Sequence, residues 1–214
     1  MTEDLARMND FRVAARPDGA VAAARSTLAE GARVLEELGR RLDVTFRQAV
    51  ELVLSCQGRL VVSGVGRSGL VAREIASAFA SAGTPSLFLN AGEAAHGDLG
   101  VVMPGDVVLL VSVREREREL MVLLPFFEAQ GIATIALVGR AGSELASAAD
   151  VALEVGRESA VYDGELEATL FCLAMLALGS ALALSVRQQR DAAETLESER
   201  QSGVRERTDM PRRA

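Results

Sequence analysis

From Arg59 onward, short apolar runs of strand length alternate with longer stretches of helical length. The runs are LVVSG at 60–64, SLFLN at 86–90, DVVLLVSV at 106–113, ATIALVG at 133–139 and DVALEVG at 150–156. They are apolar at most positions rather than strictly at every second one, which marks strands buried on both faces. The stretches between them then serve as crossover helices. This alternation predicts an α/β fold, a doubly wound parallel sheet flanked by helices. Ligands of such sheets collect outside the carboxyl ends of the strands. Function is therefore to be sought in the loops after Gly64, Asn90, Val113 and Gly156.

The flanks follow a different period. Residues 1–20 are polar, with Pro17 and Gly19, and read as a flexible N-terminus without a secretory signal. Two amphipathic helices are expected next, over about Val21 to Glu37 and Val44 to Cys56. The second is capped by Asp43 and presents Phe46, Ala49, Val50 and Val53 at helical spacing. Residues 168–186 form 19 consecutive uncharged positions, long enough to cross a membrane. Their Ala, Gly and Ser content and their place after an α/β unit favour a helix buried on all sides in a cytoplasmic protein. Burial that complete calls for a second subunit, and so for a homo-oligomer. The tail 191–214 mixes both charge signs and reads as a fraying helix followed by disorder. One domain over 21–190 results.

Composition narrows the chemistry. All 23 basic side chains are arginine, so no lysine Schiff base, lysine base or lysine phosphate loop exists. A net charge of -7 argues against duplex nucleic acid as a partner, and residues 1–58 carry no basic excess. Cys56 and Cys172 lack metal or redox spacing and read as reduced core residues. With His96 the sole histidine, neither a metal nor any other cofactor is expected.

Two constellations remain. Gly64-Val-Gly66-Arg67-Ser68-Gly69 follows a strand and opens a helix expected over Leu70 to Ala82. Its glycines let the backbone approach a ligand, and the helix N-terminus offers N–H groups to an anion. A dinucleotide site is disfavoured, because Asn90 stands where an acidic residue would end the next strand. A purely structural tight turn is the plainer alternative. The second constellation groups His96 with Glu93 and Asp98 between glycines. Imidazole can move a proton near neutral pH, with a carboxylate orienting the ring. A capping histidine is the alternative there.

The stretch from Gly58 to Ser112, GRLVVSGVGRSG through EAAHGDLGVVMPGDVVLLVS, resembles the opening of a sugar isomerase (SIS) domain, especially that of the arabinose 5-phosphate isomerase family. The similarity extends to about Val186. The resemblance implies a five-stranded parallel sheet flanked by helices, dimers or tetramers, and sugar-phosphate sites shared between subunits. The regulatory pair of small domains of longer family members has no counterpart in these residues.

The resemblance also implies site residues, and the chain departs from the family at several of them. Ser112 survives from the family's hydroxyl-rich phosphate loop, whereas Arg114, Glu115, Arg116 and Glu117 replace the rest. Arg114 or Arg116 can grip an anion bidentately. The same residues also pair at three- and four-residue spacing, as a solvated helix start does. The family lysine is Arg67, and the family's Thr/Ser turn becomes Ala168-Thr169-Leu170-Phe171-Cys172-Leu173. Glu158 corresponds to a family glutamate that is a candidate proton shuttle. The expected function is aldose-ketose isomerisation of a sugar phosphate or acidic sugar derivative through an enediol. Glu158 would be the base and His96 the acid or ring-opening group. Gly64, Gly66, Arg67, Ser68, Asp98, Ser112, Arg114 and Arg116 would hold the substrate. The altered phosphate loop argues against arabinose 5-phosphate itself. The alternative is a catalytically impaired SIS domain that binds a sugar phosphate or a partner subunit as sensor or scaffold.

Overall fold

The computed structural model describes residues 17–113, 118–140, 142–156 and 164–208. Two helices lead in, α1 (Pro17–Arg40) and α2 (Val44–Leu54). The Asp43 side chain accepts the Thr45 N–H at 2.8 Å and caps α2 as expected. Ala49, Val50 and Val53 are buried, with Phe46 packed beside them.

The sheet comprises β1 (Leu60–Gly64), β2 (Ser86–Asn90), β3 (Val107–Ser112), β4 (Ala133–Val138) and β5 (Val151–Glu154). All pairings are parallel, in the order β2-β1-β3-β4-β5. The helices between them are α3 (Gly66–Ser81), α4 (Ala91–Ala94), α5 (Arg118–Met121), α6 (Leu124–Ala129) and α7 (Glu144–Ala148), with a 3-10 turn over Asp98–Val101. The long α8 (Gly164–Thr208) completes the chain.

β1 and β2 occupy the spans read from the sequence, while the other three strands are shorter, for reasons visible at their ends. At the amino end, Asp106 and Asp150 leave the ladder and turn their carboxylates onto main chain. Asp106 accepts the N–H groups of Arg59 and Met103, and Asp150 accepts that of Thr134. At the carboxyl end, Gly139 and Gly156 press together so closely that a Cβ on Gly156 would lie 2.0 Å from the Gly139 carbonyl oxygen.

Strand side chains alternate between two cores, which explains the near-continuous apolar runs. Leu60, Val62, Leu109, Ile135 and Leu137 face α2, α3 and α8, meeting Ile75, Phe79, Met175 and Leu178. Val61, Val108, Leu110 and Ala136 face the other layer, meeting Leu120, Leu123, Phe127 and Leu145.

α8 is long and apolar enough to span a membrane, yet half of its most apolar window is buried inside the domain. Leu170, Ala174, Met175, Leu178, Leu182 and Val186 form its inner stripe. Gly179 lets it touch α3, because a Cβ there would sit 2.5 Å from Ile75 Cδ1. Within one chain the helix is not buried on all sides: Leu173 is 41% and Leu184 55% exposed. The helix continues past residue 190 as far as Thr208.

Candidate functional site

β1 is flanked by β2 on one side and β3 on the other, so the direction of winding reverses there. Such a reversal opens a crevice at the carboxyl ends of the two central strands, between β1 and β3. The Gly64–Gly69 turn forms one lip. Gly66 has φ +55°, a left-handed conformation open to glycine, and a Cβ on Gly64 would lie 3.0 Å from the Ser68 carbonyl. The turn is itself the first turn of α3, which therefore starts at Gly66 rather than Leu70. Val65 supplies no side-chain cap to the start of α3, the end of a helix that favours an anion.

Ser68 is buried, and its Oγ accepts the Val113 N–H at 3.1 Å. It joins the lip contributed by α3 to the end of β3. Ser112 is buried too, and its carbonyl accepts the Gly139 N–H at 3.1 Å. Arg67 is exposed and donates from Nη2 to Thr169 Oγ1 on α8 at 3.2 Å. Arg140, just beyond β4, pairs with Glu167 on the same helix. The opening turns of α8 thus meet residues from the ends of β1 and β4.

On the far side of β1, the Asn90 side chain accepts the Gly92 N–H at 2.9 Å and starts α4. His96, Glu93 and Asp98 follow, all exposed, with the His96 N–H donating to the Glu93 carbonyl at 2.8 Å. Among the described residues neither carboxylate is hydrogen bonded to the imidazole, so the ring orientation foreseen from the sequence is not set in this way. Nor do the described residues contain a cluster of three or more His, Cys, Asp or Glu able to hold a metal. Glu158, Arg114 and Arg116 lie outside the described residues. So do Glu115, Glu117, Tyr162 and Asp163.

Sequence reasoning passed over Arg41. Its guanidinium donates to the carbonyls of Gly156 at 2.6 Å and Val155 at 3.0 Å, holding the strand end that leads toward Glu158. No periodicity links residues so far apart. A hollow of about 650 Å³ lies at the opposite, amino end of the sheet beside Thr134 and Asp150 and includes no residue of the crevice.

The SIS domain family matches residues 53–185, which takes in every strand and the glycine turn. The chain belongs to the SIS domain family. A relative from Haemophilus influenzae, named probable arabinose 5-phosphate isomerase, is 39% identical over 168 residues, 78% of this chain and 50% of that protein. The arabinose 5-phosphate isomerase GutQ of Escherichia coli K12 is 37% identical over 168 residues, covering 78% and 52% respectively. This SIS chain therefore spans about half the length of the curated relatives it matches. Among solved structures, an Escherichia coli CFT073 protein in complex with a sugar phosphate superposes with a TM-score of 0.77 at 30% identity, covering 83% of this chain and 94% of that one.

Proposed function

We propose that this SIS domain isomerises a sugar phosphate, or a related acidic sugar derivative, between aldose and ketose forms. The observation that carries the reading is the glycine turn at the β1–β3 crevice. It opens α3 without a side-chain cap, ties the start of that helix to the end of β3 through Ser68, and carries Arg67, whose guanidinium meets Thr169 of α8. Helix N–H groups and a guanidinium suit a phosphate or carboxylate. Relatives at 37–39% identity are named as arabinose 5-phosphate isomerases, which supports a sugar phosphate as the class.

Isomerisation removes a proton from the carbon beside the carbonyl, passes through an enediol and returns the proton to the neighbouring carbon. Glu158 is the proposed base and His96 the acid that opens the ring or protonates the oxygen. An exposed imidazole without a partner among the described residues is free to meet a substrate oxygen. Arg67, Ser112 and Arg114 hold the anion, Gly64, Gly66 and Ser68 shape the turn, and Arg116 and Asp98 are further proposed substrate ligands. The chain works as a soluble homo-oligomer in the cytoplasm. The direct test is NMR in D2O with a panel of five- to eight-carbon aldose and ketose phosphates and their unphosphorylated counterparts. Deuterium is expected beside the carbonyl, and Glu158→Gln should abolish its entry while binding persists. Saturable binding without exchange would instead make this a sensor or scaffold.

A further inference from the structure

We propose that Thr169 is a positioning residue for the substrate anion, its hydroxyl holding the Arg67 guanidinium at the mouth of the β1–β3 crevice. The inference rests on the reading of Arg67 as an anion ligand. Arg67 is the second residue of α3, and its exposed side chain would otherwise sample many rotamers. Thr169 stands 102 residues further along, in the opening turns of α8.

The geometry gives the hydroxyl a fixed direction. Thr169 Oγ1 donates to the Glu165 carbonyl one turn back, at 2.9 Å, which locks the threonine side chain and leaves its lone pairs to accept. Arg67 Nη2 fills one of them at 3.2 Å. One N–H of the guanidinium is thereby tethered, and the remaining donors have no other partner among the described residues. The tether itself is held, because Arg140 pairs with Glu167 two positions away. Arginines from the ends of β1 and β4 thus fasten onto the same stretch of α8. A preset guanidinium loses less freedom when an anion arrives, which is gained as affinity.

The experiment is calorimetric titration with the sugar phosphate of the exchange panel that the wild type binds most tightly and, as a sugar-free probe, inorganic phosphate. It compares the wild type with Thr169→Val, Thr169→Ser, Arg67→Ala and the Arg67→Ala, Thr169→Val pair. Thr169→Val should weaken both ligands by about fivefold at an unchanged melting temperature, as loss of one modest hydrogen bond does. Thr169→Ser should restore the wild-type affinity. In the Arg67→Ala background the valine should add nothing, a coupling that a merely structural role would not produce. Wild-type affinity in Thr169→Val while Arg67→Ala loses binding overturns the inference and leaves Arg67 as ligand. The same follows from a full additive loss in the pair. Unchanged binding in Arg67→Ala, or no binding by the wild type, removes the underlying reading of Arg67 and the inference with it.

Discussion

Single atoms decide the packing where β3, β4 and β5 end. A Cβ on Gly139 would lie 2.8 Å from Phe171 Cδ2 and 2.9 Å from the Val113 carbonyl, and Gly156 is tighter still against Gly139. Gly156→Ala should therefore destabilise the fold by about 3 kcal/mol, measured by urea denaturation, since backbone on both sides must shift. A loss under about 0.5 kcal/mol would show that the two turns separate easily. Ser63 presents the opposite case. Its hydroxyl is buried in the middle of the sheet with no partner among the described residues. Ser63→Ala should stabilise the protein by about 1 kcal/mol in thermal denaturation, because an unsatisfied buried hydroxyl is removed. A destabilised variant would mean that the hydroxyl finds a partner in solution. Glycine turns and an apolar strand were legible at this scale. The Gly139–Gly156 approach was not, because a sequence carries no distance between two strand ends.

At the scale of elements, the joins matter more than the elements. The turn between α1 and α2 delivers Arg41 to the end of β5, an edge strand whose carbonyls would otherwise rely on water. Arg41→Ala should cost about 2 kcal/mol in urea denaturation, for two hydrogen bonds from a charged donor. In hydrogen exchange the lost protection should concentrate in β5 and α2, and uniform loss across the sheet would contradict this local role. The capped start of α2 and the spans of β1 and β2 were read directly, since Asp43 and the apolar runs act within a few residues. The sequence pattern puts the start of α3 at Leu70, four residues beyond its actual start at Gly66. Glycines look like helix breakers in a sequence, whereas here they form the first turn.

At the scale of the whole molecule, the unfinished surface is the outer side of α8. Leu173 and Leu184, spaced eleven positions apart, point the same way on a helix, and both are exposed. Leu28 of α1 is exposed a turn from Gly31, where α1 crosses Leu173. These residues supply an apolar face for the proposed self-association. Light scattering should give a dimer or tetramer for the wild type and a monomer for the Leu173→Glu, Leu184→Glu pair. A monomeric wild type at micromolar concentration would remove the homo-oligomer.

The sequence by itself determined what local chemistry controls: which runs are buried strands, where α2 is capped, and that a glycine turn opens a helix beside an arginine. It also determined, through its motifs, the family. Tertiary structure alone decided which strands are neighbours, and with that the meeting of Arg67 with Thr169, Arg41 with Gly156 and Ser68 with Val113. The physical reason is that hydrophobic periodicity specifies a buried face and nothing about its neighbour. Strand order emerges only when two cores are packed at once on either side of one sheet.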